Sequence, residues 1–314
     1  MDPVRLGGIP QYQLNRSEVS ETVAAYLHQS LADNTHRAYE ADLAHFRTWG
    51  GNIPTTSAAV AEYLAAHAPI LSMATLDRRV IAISQAHAAR GFPNPTQSGL
   101  VRAVRRGIKR AHGEAQRRAA PLSMSDLATV LEAMGADVRA VRDRALLLLG
   151  FAGALRRSEL VALDQEDLEL VEQGLVVDLR RSKTDQVHEG RKLGIPYGST
   201  TLCPVLALTD WLSLVPGKSG PIFTRVDRHG NILDRRMSPE AVALVIKERA
   251  AAAGFDPSLY SGHSLRAGFA TAAAQAGVTG WKIRQQTGHA SDAMLAPYIR
   301  DGELFNGSAA GALL

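Results

Sequence analysis

A single cysteine, Cys203, leaves this chain no internal disulfide and no thiolate cluster for a metal. A reducing compartment suits it, and the lone thiol reads as core packing. Aromatic side chains are scarce too, 5% of 314 residues. The core must therefore come from aliphatic side chains and alanine, which favours helices. The most apolar run, residues 145–155, is about half of what a bilayer crossing needs. The N-terminus lacks a basic region followed by an apolar one, so no secretory signal is expected. No carboxylate cluster suited to Mg²⁺ and no glycine-rich phosphate loop occurs. The expectation is a cytoplasmic protein without cofactor, metal or membrane span.

What is present is basic and unevenly spread. Lys and Arg number 35 against 31 Asp and Glu, a net charge of +4. Between Arg102 and Arg118 stand seven cations (Arg102, Arg105, Arg106, Lys109, Arg110, Arg117 and Arg118) and one acid, Glu114. Such a run fits a polyanionic partner, although a solvated helix face would look the same.

The length suggests two domains. Residues 1–16 read as a loose arm, and 17–112 as a bundle of five helices: 18–32, one capped by Asn34, 57–66, 74–90 and 97–112. The polar stretch 113–121 reads as a linker. Ser123 and Asp126 have the spacing of a capping box, and residues 141–153 form a buried helix. Two antiparallel strands, near Leu175–Leu179 and Lys192–Ile195, follow around a polar loop at 180–190. Helices resume at 204–214, 239–253 and 264–276, and residues 303–314 form a tail. The fold class is mainly α: a helical bundle, then a mostly helical α/β domain with one small antiparallel sheet.

Individually weak signals accumulate in the second half. Arg156 and Glu159, three apart, would share a helical face, and an arginine leaving so apolar a helix needs a carboxylate or a phosphate. Lys183 sits in the hairpin loop beside Arg181. His263 and Arg266 share one face of an alanine-rich helix. Gly288 is placed to end a helix in the left-handed conformation, leaving His289 just beyond it. Pro297 is expected to break helix and put Tyr298 in the first turn of a short element. Alone, each reads more readily as an ion pair, a surface lysine or half-buried packing. Together they suit metal-free phosphodiester chemistry: guanidinium forks hold phosphate, a lysine or histidine moves protons, and a phenol attacks phosphorus.

In this order (RxSE, a hairpin lysine, HxxR, GH, then a tyrosine nine residues on) the chain resembles the tyrosine recombinase (phage integrase) family, including its Cre and Xer branches. The resemblance implies that 17–112 is a core-binding, SAM-like domain and 122–302 the catalytic domain. It implies that Arg156 and Arg266 clamp the scissile phosphate and that Lys183 protonates the leaving 5′ oxygen. His263 would transfer protons, His289 would occupy a position held by His or Trp in the family, and Tyr298 would be the nucleophile. Glu159 would support the active-site arginine and histidine. Double-stranded DNA is the implied partner, bound by a dimer on one site and a tetramer on two, with strands exchanged through a four-way junction and a 3′-phosphotyrosyl link. Arg37, Arg78 and Arg79 of the bundle are candidate DNA contacts, with the 102–118 cations and Arg181. The tail would dock on a neighbouring protomer. Relaxation of DNA in the manner of type IB topoisomerases, telomere resolution and an inactive DNA-binding regulator are the competing readings. Gly153-Ala154 stands where the family often has Thr-Gly, and Pro297 before the tyrosine is unusual.

Overall fold

The computed structural model describes residues 26, 33–113, 119–180, 190–198 and 201–304. The arm, nearly all of the first expected helix, Arg117, Arg118, Arg181, Lys183 and the tail from 305 lie outside the described residues. The chain divides between 117 and 118 into two compact units.

The first unit is helical: α1 (Asp33–Thr48), α2 (Ser57–His67), α3 (Met73–Ala88) and α4 (Gly99–His112). Hydroxyls set three of the starts, with Thr56, Ser72 and Ser98 each accepting a backbone N–H of the first turn of α2, α3 and α4. Asn34 is not the cap expected of it. Helix α1 already runs through Asp33 and Asn34, and the Asn34 side chain accepts from Arg37 instead. Phe46, Tyr63, Leu64, Leu76, Ile83 and Val101 close the core.

The second unit opens with α5 (Met124–Glu132), whose Ser123–Asp126 capping box forms, and α6 (Val138–Ala152), capped by Asp137. A tight reversal leads to α7 (Arg157–Ala162). Strands β1 (Leu168–Val171), β2 (Gly174–Leu179) and β3 (Arg191–Pro196) form one antiparallel sheet in that order, with Leu175 opposite Ile195 and Leu179 opposite Arg191. Alternate residues Leu175, Val177, Leu179, Leu193 and Ile195 are buried, the two-residue period of a sheet with one covered face. After α8 (Pro204–Leu214) comes a ribbon of β4 (Thr224–Val226) and β5 (Ile232–Arg236), then α9 (Pro239–Ala252), α10 (Ser264–Gln275), α11 (Gly280–Thr287) and α12 (Asp292–Gly302).

The sheet therefore has a third strand, and a second ribbon exists, that sequence did not suggest. β1 has four residues and β4 three, too short to display alternation. Cys203 is buried, and its sulfur accepts the N–H groups of Gly198 and Leu206 at the start of α8. Among the described residues no helix is long and apolar enough to cross a membrane.

Candidate active site

The site lies within the second unit, built from the α6–α7 reversal, the start of α10 and the α11–α12 corner. At the reversal Ala154 adopts φ 48°, a left-handed conformation uncommon for a residue with a Cβ. It aims the Ala154 carbonyl at Arg266, whose Nη1 donates to it at 2.8 Å. Arg156 then stands as N-cap of α7 with extended backbone angles, not on a helical face. Its spacing to Glu159 is instead that of a capping box. The Glu159 carboxylate accepts the Arg156 backbone N–H at 2.9 Å and also its guanidinium. One acid thus satisfies an orphan helix donor and orients a cation.

Arg156 Nη2 also donates to the carbonyl of Gly288 at 3.1 Å. Gly288 ends α11 at φ 63°, as the sequence suggested, and turns the chain so that His289 points inward. His289 is buried, its Nδ1 lies 2.8 Å from the Thr287 hydroxyl, and its ring stacks 5.8 Å from that of Tyr298. His263 is the residue before α10, and its Nε2 is 2.7 Å from the Tyr298 hydroxyl. Arg266, one turn on, is 1% exposed.

Tyr298 does not open a new element. Helix α12 runs through Pro297, which puts the tyrosine in its second turn. The proline ring costs the Ala293 carbonyl its intrahelical donor. Packing of Leu295, Tyr298 and Ile299 against Ala270, Ala274 and Ile283 holds the helix together regardless.

One residue escaped sequence reasoning altogether. Arg191 opens β3 and reaches the site, with Nη1 3.2 and 3.1 Å from the Gln285 and Gln286 carbonyls and Nη2 3.8 Å from Glu159. Its only sequence signal is an unexplained cation at the start of a strand. Three guanidiniums (Arg156, Arg191 and Arg266) therefore surround one carboxylate, an excess of two positive charges.

Burial and this excess together set the electrostatics. Burial first, then the Arg156 charge, brings Arg266 down to about 9, which leaves it charged at neutral pH. Its Nη2 is buried and has no partner among the described residues. Burial and then the Arg266 and Arg156 charges depress His289 to about 4. His263, at the open edge, is lowered by partial desolvation and by the same two arginines. Both imidazoles are thus biased toward the neutral form, and His263 can accept a proton from the phenol it touches. Among the described residues no group of three His, Cys, Asp or Glu side chains is arranged to hold a metal.

The structure brings Arg156, Glu159, His263, Arg266, His289 and Tyr298 together. Of the expected DNA contacts, Arg102, Arg106, Lys109 and Arg110 lie exposed on one face of α4, opposite buried Val101 and Ile108. Arg105 beside them is bound to Asp77. Arg37 is exposed, and Arg78 is exposed but held by both oxygens of Asp42. Arg79 is a correction. It is buried, its Nη1 3.0 Å from the Tyr63 hydroxyl and against His45, so it serves the bundle's interior and not its surface.

A model of the phage integrase family matches residues 121–303. A Selenomonas ruminantium protein described as an integrase/recombinase xerD homolog is 37% identical over 305 residues, 94% of this chain and 89% of its own length. The recombinase cre of Escherichia phage P1 is 25% identical over 250 residues, 74% of this chain and 71% of its own. Among solved structures, the Tn1549 transposon integrase in complex with transposon right end DNA matches with a TM-score of 0.67 at 15% identity. The match covers 93% of this chain and 95% of that one and is a likeness of fold.

Proposed function

The chain belongs to the phage integrase family, and from that premise we propose that it is a site-specific recombinase cleaving and rejoining duplex DNA through Tyr298. The observation that carries the reading is the buried, uncompensated positive charge beside a tyrosine hydroxyl. Two excess cations, each with a buried nitrogen that makes no hydrogen bond among the described residues, are costly to bury without a counter-charge. A phosphodiester supplies one negative charge in the ground state and two in its pentacovalent transition state. The excess therefore matches the transition state better than the substrate, as catalysis requires.

The residues divide the work. Arg156 and Arg266 hold the nonbridging oxygens. His263, neutral, takes the phenolic proton as the Tyr298 oxygen attacks phosphorus. The phosphorus–O5′ bond breaks, Lys183 gives the leaving oxygen its proton, and a 3′-phosphotyrosyl ester remains. Reversal by a 5′ hydroxyl from the partner strand rejoins the DNA, and the ester retains the energy of the broken bond. The His263–Tyr298 contact within one chain supports cleavage in cis. His289, through its bond to Thr287, presents a neutral ring to the same phosphate.

The first unit acts as the core-binding domain, with the exposed cations of α4 on phosphates of the duplex. Two protomers occupy one site and four join two sites, exchanging strands through a four-way junction, with the segment 303–314 docking on a neighbour. Recombination limited to plasmids with paired target sites, as against relaxation of any supercoiled plasmid, separates this activity from the topoisomerase type. Tyr298→Phe on a nicked suicide duplex should abolish the covalent protein–DNA adduct and leave binding intact. Persistent adducts from that variant would overturn the choice of nucleophile.

A further inference from the structure

Arg191 closes a ring of interactions. Its Nη1 holds the last carbonyls of α11, those of Gln285 and Gln286, and its Nη2 faces Glu159 at 3.8 Å, an ion pair without a hydrogen bond. Glu159 fixes Arg156 by backbone and side chain, and Arg156 donates back to the carbonyl of Gly288 at the end of α11. The fit is close. A Cβ on Gly288 would lie 2.4 Å from Arg191 Nη1, so the guanidinium rests directly on the left-handed turn that delivers His289. Both terminal nitrogens of Arg191 are thus directed at protein groups, one at carbonyls and one at a carboxylate. Arg266 differs, since its buried Nη2 faces no acid at ion-pair distance among the described residues.

We propose that Arg191 is a positioning residue of the cleavage reaction, locking the α11 corner and its histidine to the Glu159–Arg156 pair. The proposal rests on the reading of the site as a phosphodiester centre. Without the fork, two carbonyls at a helix end lose their donor and Glu159 keeps one ion-pair partner instead of two. Arg156 and His289 would then be free to shift relative to each other while the rest of the DNA surface stays intact. Lysine keeps the charge, but a single ammonium cannot bridge two carbonyls and face a carboxylate with planar geometry. The positive charge also adds to the forces keeping His289 neutral, as the smallest of the contributions named for it.

The test compares wild type, Arg191→Met and Arg191→Lys by three measurements: affinity for intact duplex, single-turnover adduct formation on a nicked suicide substrate, and the His289 ring titration by NMR in the free protein. Arg191→Met should slow adduct formation by about 100-fold, the effect of misplacing reacting groups by about an ångström, while affinity stays within a few-fold. The His289 titration should move upward. Arg191→Lys should fall between the two in rate and leave that titration near wild type, and it carries the test if the methionine variant does not fold. Loss of affinity equal to the loss of rate would make Arg191 a DNA ligand and overturn the proposal. An unchanged rate would overturn it equally. If wild type forms no adduct, the phosphodiester reading fails, whereas the titration still decides whether Arg191 is coupled to His289.

Discussion

His289 should leave a signature in the stability of the free protein. Its imidazole is depressed to about 4 in the folded chain, by burial first and then by the Arg266 and Arg156 charges. In the unfolded chain it returns to about 6.5. The unfolded state thus binds more protons between those two values, and stability must rise with pH across them. A gap of about 2.5 units at 1.36 kcal/mol each is about 3 kcal/mol. That stability is complete above about pH 6.5 and is lost as pH falls through about 4. Carboxylates titrate in the same range, so the measurement is a difference. Urea unfolding of wild type and His289→Phe would be followed from pH 4 to pH 7.5, and one stability curve subtracted from the other. The wild type should lose about 3 kcal/mol more than the variant on acidification. His263 stays in both proteins, so its own contribution of the same sign cancels. Parallel curves would mean that His289 charges freely in the fold and that the arginine cluster does not govern it.

Three further outcomes follow from the same geometry. Arg266→Met removes an uncompensated buried cation, so calorimetry should find stability level or higher by about 1 kcal/mol, while the adduct rate falls by about 100- to 1,000-fold; clear destabilisation with activity retained would refute this. Ala154→Val forces a β-branched residue to φ 48° in a buried turn and should cost about 2 kcal/mol or more, read as a lower calorimetric midpoint. Neutralising Arg106 and Lys109 on the exposed face of α4 should flatten the log–log salt dependence of DNA binding by about 0.9 for each phosphate that these cations neutralise in the wild type, and an unchanged slope would take that face off the DNA.

Where local chemistry decides, the sequence is readable. Gly288 ends a helix because a left-handed residue is needed there, and Ser123 with Asp126 caps one because the spacing allows two reciprocal bonds. The same local logic misreads Arg156 and Glu159: three apart suits both a helical face and a capping box, and only the reversal at Ala154 selects the second. Pro297 fails differently. Its rule is a cost of roughly 3 kcal/mol, and tertiary packing of Leu295 and Ile299 outweighs it. Arg79 and Arg191 were beyond reach because their partners, Asp42 and Tyr63 for one and Gln285 and Gln286 for the other, lie on distant parts of the chain. An arginine in isolation does not disclose whether it serves the solvent, the core or a site.

The unfavourable features of the second unit converge on one corner. An alanine in left-handed backbone and a proline inside a helix lie on the segments that carry Arg156 and Tyr298, and beside them Arg156, Arg191 and Arg266 leave two guanidinium charges uncompensated. None helps the fold. The alanine directs a carbonyl that restrains Arg266, which leaves the other terminal nitrogen for a ligand. The proline removes a backbone donor from the helix turn just ahead of the tyrosine, the residue proposed as nucleophile. Burial first, and then the charge excess, lower both imidazoles, one of which touches the phenol it would deprotonate in the proposed reaction. Natural sequences keep such local conflicts chiefly where function needs them. Their coincidence here argues, independently of any likeness to relatives, that this corner is where the chemistry takes place.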